Sequence, residues 1–540
     1  MMWYFGKPTS SVAAATYPCE IAGTSTSMTM MGGTYDWSAM PARPWESGTT
    51  EDQRKAIGKL VYDVGVSVGM NWGADGSGSS LYDAQTALMV DFGYAQAVAL
   101  LYQDHKDYYP WSLETFKQVV VPCLDARTPV GLSIKGDGGH AVLADGYGYS
   151  DGAFCLHVNF GWGSSADTQT AWYCPPDLDT SSYSFNTINA ILCNVFPDRT
   201  GNVFSGRVLD GSGNPVAGAA VSFSDGQTAV SDEHGVYAFV APPGLYSATA
   251  SKGGLSGIVC NALTETVPLE TTGRDGGYSY TPNKCGNSGD NDIVLSALPI
   301  VATPVVSPAS CLIYPSTNVT LACATPGATI RYTLDGTIPT ESSPAYFRPV
   351  VVDDACTVAA RAFADGKTPS ALGVAEYAYD PAAGPPKGDL FANPFRIAGA
   401  SGSRTLESTA GYTTEDGEPY HTLINNSRYN EYRTIWYRWT APGSGRMTFR
   451  TTARTETESG YSLWHTAVAV YVGDDIRHLT RVAVNATWDT TTGDTVVELD
   501  VRRGRTYRIV GTNLYDKDMS FTLAWSGDLL ISNPAVLSVQ

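Results

Sequence analysis

The residues best suited to chemistry lie in Gly138-Gly139-His140-Ala141-Val142-Leu143-Ala144-Asp145-Gly146-Tyr147 and in His157-Val158-Asn159-Phe160-Gly161-Trp162-Gly163. Imidazole is the side chain that most readily takes and returns a proton near neutrality, so His140 is the candidate general base. Paired glycines remove side chains just before it and let a substrate backbone approach. The apolar run that follows would hold the ring on a rigid strand. A hairpin around Asp151-Gly152 brings the two segments side by side. Asn159 could then accept from one imidazole nitrogen and fix its tautomer, while an aromatic keeps water from that bond. This is the supporting half of a nucleophile–His–Asn machine. The other half should be a thiol or hydroxyl near a helix N-terminus, where the positive dipole end lowers a thiol's pKa. Taken alone, the same residues suit a structural histidine and an ordinary Asn-x-Gly turn equally well.

The elements that would position these groups mix helix and strand. Thr50-Glu51-Asp52-Gln53 predicts a helix start, followed by Ala56, Ile57, Leu60, Val61 and Val64 at helical spacing. A second helix is predicted from Asp83 through Ala84, Ala87 and Leu88 to about Gly93. A third begins after Pro110, with Trp111, Phe116, Val119 and Val120 as apolar positions and Pro122 near its end. After Arg127 come extended runs at Val130–Ile134, Ala141–Ala144 and Phe154–Asn159. Helices first and strands later is an α+β layout.

At 540 residues the chain is too long for one core, and three to five domains are expected. Hydrophobic residues make up 43% and charged residues 16%, with 55 Gly and 31 Pro, which excludes global disorder and long coiled coil. A net charge of −19 repels phosphate backbones and anionic lipid, so nucleic acid is excluded as a partner. The longest apolar stretch, Ile293 to Val306, is too short to span a bilayer and carries Pro299 and Pro304. No Cys-x-x-Cys occurs among the ten cysteines, so neither a zinc knuckle nor a thioredoxin-type site is supported, and spacing assigns no disulfide. The first residues lack the basic and apolar regions of a signal peptide. From about Thr200 onward the chain alternates apolar and polar residues around turn signals. The simplest partition is an α+β region at 1–197, β-sandwich modules at 200–298, 300–379 and 389–530, and a stiff Pro/Gly linker at 380–388.

An ordered series of segments gives the first region a family likeness. They are Tyr35-Asp36-Trp37…Met40-Pro41, Val61…Asp63-Val64-Gly65-Val66-Ser67-Val68…Met70-Asn71-Trp72-Gly73, Ser77-Gly78-Ser79, Ala87-Leu88…Phe92-Gly93-Tyr94, and the His140 and Asn159 segments. In this order they resemble the streptopain-like, papain-fold secreted cysteine peptidases of bacteria. The resemblance implies that His140 is the catalytic base and Asn159 its orienting partner. It also implies that Gly139 and the turn ending at Ser79 line the cleft, and that Trp162 forms an aromatic wall, a position that core packing would fill as readily. Protein or peptide substrates, a preference for an apolar residue before the cleaved position, and no metal or organic cofactor follow from it. Phe160 stands where the family often has Trp and can shield without donating an N–H. The family's nucleophile opens a Cys-Val-Ala-Thr-Ala helix that runs on to an aromatic and a Pro. Met2-Trp3-Tyr4-Phe5-Gly6-Lys7-Pro8 looks like the end of that segment, placing the cysteine about nine residues before Met2. Ser11-Val12-Ala13-Ala14-Ala15 follows the Pro8 landmark instead of preceding it, and Pro18-Cys19-Glu20 is a poor helix start. The expectation is a chain begun at an internal Met, with signal peptide, pro-segment and nucleophile upstream, and inactive as it stands.

The β modules have likenesses of their own. Phe204-Ser-Gly-Arg207-Val208…Gly213-Asn-Pro215 with Asp232…Gly235-Val-Tyr237 looks like a carboxypeptidase-regulatory-like sandwich. Thr325-Pro326-Gly327 through Arg331-Tyr332-Thr333-Leu334-Asp335-Gly336-Thr337 is similar to a chitobiase C-terminal-like module. Ile435-Trp436-Tyr437-Arg438-Trp439 with Thr506-Tyr507-Arg508-Ile509 resembles pre-peptidase C-terminal domains. Such appendages imply a secreted or cell-surface protein, with glycan or surface contact as a further partner class. The rival reading is a non-catalytic modular binding protein carrying a relic peptidase domain. Odd spacing points Trp436 and Trp439 to opposite strand faces, one in the core and one partly exposed. Gly286-Asn287-Ser288-Gly289-Asp290-Asn291-Asp292 hints at a calcium loop, but no metal site is assigned. Asp145 reads as a strand-end carboxylate meeting a turn, His157 as packed beside its neighbours, and His105 as solvated.

Overall fold

The computed structural model describes residues 1–42, 44, 48–74, 76–101, 112–162, 170–266, 284–421, 431–457, 460–486 and 492–530. These fall into two compact units. One holds residues 1–305, 322–346 and 359–374, and the other holds 306–321, 347–358 and 375–540.

In the first unit, α1 (Met2–Phe5) leads into two strands, β1 (Thr16–Ile21) and β2 (Thr24–Thr29). With β3 (Asn71–Trp72) and β4 (Ser77–Gly78) they make a sheet in the order β2-β1-β3-β4. The expected order of helices before strands is therefore wrong at the front. TYPCEI and TSTSMT lie largely at the surface and carry little apolar alternation, which hides them from a periodicity reading. Next comes α2 (Glu51–Ser67), which starts where predicted. Thr50 accepts from the Gln53 N–H, and the Gln53 side chain accepts from the Thr50 N–H, a closed capping box. Its buried face runs through Asp63 and Val66, and Val61 is 64% exposed, not part of the apolar stripe. The second helix, α3 (Leu81–Val90), begins two residues before the predicted Asp83, because Ser80 caps it.

After β5 (Gln96–Leu101), α4 (Leu113–Asp125) is capped by Ser112 and runs one turn past Pro122. Pro110 and Trp111 lie outside the described residues. The strands β6 (Val130–Gly136), β7 (Gly139–Ser150), β8 (Ala153–Asn159), β9 (Ala171–Tyr173) and β10 (Phe185–Phe196) then build an antiparallel sheet in the order β5-β10-β6-β7-β8-β9. Asp151 and Gly152 make the two-residue turn between β7 and β8, both at positive φ, as a tight hairpin demands. Phe116, Val119, Val120 and Cys123 of α4 pack on Leu132, Ile134, Val142, Leu156 and Ile191 of the sheet. Burying four such side chains is what fixes this helix to the strands that carry the candidate site.

The chain enters the first sandwich almost without a linker. Its strands are β11 (Asn202–Leu209), β12 (Ala220–Phe223), β13 (Thr228–Val230), β14 (Val236–Ala241), β15 (Gly244–Lys252), β16 (Leu255–Leu263) and β17 (Ile293–Val294). They form sheets β14-β11-β17 and β13-β12-β15-β16 around a core in which Phe223 stacks between Phe239 and Tyr246 at 4.6 and 4.7 Å. The Gln96 side chain exchanges two hydrogen bonds with the Gly201 backbone, so β5 holds the crossing point. Further on, Thr329–Thr333 pairs antiparallel with 359–363.

The second unit contains a two-sheet sandwich. One sheet runs Phe395–Ile397, Arg433–Thr440, Thr506–Asn513, Thr466–Val472, Thr480–Asn485. The other pairs Ser401–Leu406, Ser520–Leu530, Ser444–Thr457 and Gly460–Trp464. Trp439 lies in the core between them with Phe449 and Phe521. Trp436 points to the opposite face, as its spacing demands, but is fully buried instead of partly exposed. Phe391 and Tyr471 cover it, its indole N–H donates to Glu418 Oε1 at 2.7 Å, and Glu418 also contacts the buried His421. A neighbouring residue more than a dozen positions away supplies that cover, which strand alternation cannot foresee.

Candidate active site

His140 is the second residue of β7 and stands opposite Ile134 of β6. Its neighbours Val142 and Ala144 are buried, so alternation turns the imidazole toward the helix-covered face of the sheet. There Nε2 donates to the Phe160 carbonyl oxygen at 2.9 Å. A carbonyl can only accept, so the proton of the neutral ring sits on Nε2 and Nδ1 carries the lone pair. Nδ1 has no protein partner among the described residues. Phe160 stacks on the ring at 6.0 Å between centroids, Trp162 lies 4.9 Å away, and Phe185 closes a third side at 6.3 Å. Three aromatics thus shield the Nε2–H···O bond.

Asn159 does something other than expected. Its residue stands opposite Leu143, on the exposed face, and its Oδ1 accepts from the Gly161 N–H at 2.8 Å. Consecutive strand residues point to opposite sides, so an Asn one position before the core residue Phe160 cannot face the imidazole. The turn that Asn159 closes, with Gly161 at φ +71°, is what aims the Phe160 carbonyl back at His140. The partner of Nε2–H is a backbone carbonyl and not the Asn159 side chain, a group that no side-chain motif could reveal.

Gly139 precedes the ring in the open: a Cβ added there would meet nothing within 4 Å. Trp162 forms the wall and also contacts Phe160 and Tyr183, whereas Gly163 lies outside the described residues. Ser79 sits before α3, where its hydroxyl donates to the Val68 carbonyl at 2.7 Å and contacts Asp83. These contacts tie it to the end of α2 and the first turn of α3, not to the His140 cluster. His157 pairs with Asp145 at 2.5 Å under Trp172, on the face opposite His140. Asp145 lies in a bulge of β7, which sequence alternation alone does not disclose. His105 lies outside the described residues.

Every cysteine of residues 1–197 is engaged elsewhere. Cys19 is buried and its thiol points to the Val66 carbonyl, Cys155 is disulfide-bonded to Cys174, and Cys123 and Cys193 lie in the core under α4. Cys19 is thus no stand-in for the nucleophile. In the segment that hinted at calcium, the side chains brace the fold: Asn287 Oδ1 accepts from Val203 N, Asp292 Oδ1 from Arg207 N, and Asn291 Nδ2 donates to Ser205 O. Among the described residues no group of three or more His, Cys, Asp or Glu could hold a metal ion. No helix among them is long and apolar enough to cross a membrane.

Residues 1–173 match the Peptidase C10 family, residues 203–271 the carboxypeptidase regulatory-like domain, and residues 308–373 the chitobiase/beta-hexosaminidase C-terminal domain. Streptopain of Streptococcus pyogenes is 33% identical over 135 residues, a match spanning 25% of this chain and 31% of that protein. The thiol protease/hemagglutinin PrtT of Porphyromonas gingivalis is 29% identical over 169 residues, 31% of this chain and 18% of that protein. The chain thus spans less than a third of the length of these two relatives. Among solved structures, the pre-peptidase C-terminal domain of a Bacillus anthracis collagenase aligns at 10% identity and a TM-score of 0.16, over 25% of this chain and 94% of that one. The N-terminal region is a cysteine-peptidase-like domain followed by β modules.

Proposed function

We propose that residues 1–197 form the base-bearing part of a cysteine-type endopeptidase that acts outside the cytoplasm on protein or peptide substrates. The observation that carries this reading is the tautomer of His140. With Nε2–H held by the Phe160 carbonyl, Nδ1 is left as the acceptor. In the proposed mechanism Nδ1 takes the proton of a cysteine thiol, and the thiolate attacks the substrate carbonyl carbon. The tetrahedral oxyanion collapses as Nδ1–H protonates the departing amine, leaving a thioester. Nδ1 then takes a proton from water, which attacks the thioester and releases the acid. Phe160 and Trp162 keep water from the Nε2–H···O bond, and the open space beside Gly139 leaves room for a substrate backbone. Because each thiol of residues 1–197 is engaged elsewhere, the reading does not take its nucleophile from among them, and it invokes no metal or organic cofactor.

The test is casein hydrolysis by the longest in-frame product that contains these residues, with and without His140→Ala. Turnover that disappears in the variant and is blocked by an epoxide inhibitor of cysteine peptidases supports the proposal. Absence of turnover, or turnover indifferent to His140, would leave the rival reading of a modular binding protein, which the strand-rich stretch after residue 200 favours. The 540 residues alone should not hydrolyse casein, and Cys19 should not react with the inhibitor.

A further inference from the structure

A lysine and an asparagine meet away from water where the last sandwich begins. Lys387 and Asn393 bound a short loop whose ends are tied by the main chain, the Gly388 N–H donating to the Asn393 carbonyl at 2.9 Å. Gly388 stands at φ +87°, and its own carbonyl accepts from Trp436 N at 2.7 Å, which fixes the loop on the strand Arg433–Thr440. The two side chains converge as a result. Lys387 is 5% exposed and Asn393 9%, and Lys387 Nζ lies 2.8 Å from Asn393 Oδ1. Asn393 Nδ2 donates to Tyr379 Oη at 2.5 Å, and Tyr379 in turn donates to the Pro385 carbonyl at 3.1 Å. Cγ is one carbonyl bond of about 1.2 Å behind Oδ1, so Nζ stands within about 4 Å of that carbon.

A carboxylate faces the same amine. Asp353, from the turn after Val350–Val352, places Oδ2 3.8 Å from Nζ and also binds Arg396 Nε. Burial holds the Lys387 ammonium below the ordinary lysine range, with Arg396 and Arg404 pushing the same way and Asp353 and Asp354 opposing. A buried amine that sheds its proton is a nucleophile, and one held beside a carbonyl needs little further ordering. Pro394 follows Asn393, so the ordinary route by which asparagine loses ammonia, attack by the next residue's main-chain N–H, is closed.

We propose that Lys387 and Asn393 condense into a side-chain amide, a covalent staple at the entry to the last sandwich. Asp353 takes one proton from Nζ, and the neutral amine attacks Asn393 Cγ. The Nζ–Cγ bond forms, the Cγ–Nδ2 bond breaks, and the departing nitrogen takes a second proton from Nζ to leave as ammonia. Ammonia then takes the proton held by Asp353 and departs as ammonium, restoring the carboxylate. Nothing is oxidised or reduced, and no co-reactant enters. The product holds the loop closed where the Pro/Gly linker meets the sandwich, apart from any chemistry of His140.

The test is a tryptic map of the full chain, denatured before digestion. Trypsin does not cut at an acylated lysine, so residues 368–396 should appear as one peptide with Lys387 joined to Asn393. It should be lighter than its sequence by one ammonia, about 17 Da. Lys387→Arg should restore both cleavage at that position and the full mass, and Asn393→Ala should restore cleavage after Lys387. Asp353→Asn should leave the pair unjoined in freshly purified protein. Recovery of residues 368–387 and 388–396 as separate peptides of full mass from the unsubstituted chain overturns the proposal, whether or not the variants fold. A joined pair undiminished in Asp353→Asn overturns the proton route.

Discussion

Around the imidazole, what matters is which side chains touch something and which do not. Gly136 and Gly139 flank the entry to β7 and look alike in sequence. A Cβ on Gly136 would lie 1.9 Å from the Ser184 carbonyl oxygen, whereas one on Gly139 meets nothing. Gly136→Ala should therefore destabilise the protein by about 2–4 kcal/mol, read from urea unfolding. Gly139→Ala should leave the urea midpoint unmoved and instead raise KM in the turnover-competent product. His140 was legible because its motif advertises an imidazole between glycines and an apolar strand. Its hydrogen-bond partner was not, since a main-chain carbonyl belongs to every residue and is selected only by the turn that Asn159 closes. Asn159→Ala should weaken that turn by about 1 kcal/mol and lower kcat more than KM, because the ring loses its orientation and not its substrate contact.

Helices and strands were readable where local chemistry specifies them. The Thr50–Gln53 capping box and the Asp151–Gly152 turn each need only a few consecutive residues, and both occur where expected. β1 and β2 pair chiefly with each other, six residue pairs against two between β1 and β3, and were missed because both lie largely at the surface and carry little apolar alternation. The main anchor of α2 is non-local. Fully buried Asp63 accepts from Gly32 N at 3.2 Å, Tyr35 Oη at 2.9 Å and Lys59 Nζ at 3.3 Å. Removing the carboxylate strands those donors, so Asp63→Ala should cost about 3–5 kcal/mol in chemical denaturation. Thr50→Ala, at the exposed end of the same helix, should cost only about 1 kcal/mol.

For the molecule as a whole, the sequence marked a boundary near residue 200 by its change of texture but concealed how closely the two sides are joined. Asp125, at the end of α4, accepts from Tyr147 Oη at 2.8 Å and from Ser205 Oγ of β11 at 2.6 Å. Burial raises its carboxyl to about 6, helped by the negative charges of Asp232 and Asp290 and opposed by the Ser205 and Tyr147 hydrogen bonds. A folded-state pKa above the unfolded value means that protonation favours the folded form. This contribution is complete below about pH 4 and is lost as pH rises through about 6. Asn cannot titrate, so the stability of the parent relative to Asp125→Asn should fall by on the order of 2 kcal/mol from pH 4 to pH 8 in paired urea titrations. The reciprocal amides of Asn194 and Asn287 cross the same boundary. A module joined in this way is not a bead on a string: grafting a different sandwich after residue 200 would orphan a buried amide on the donor side, so lineages that shuffle such appendages must carry the matching half of the seam along with them.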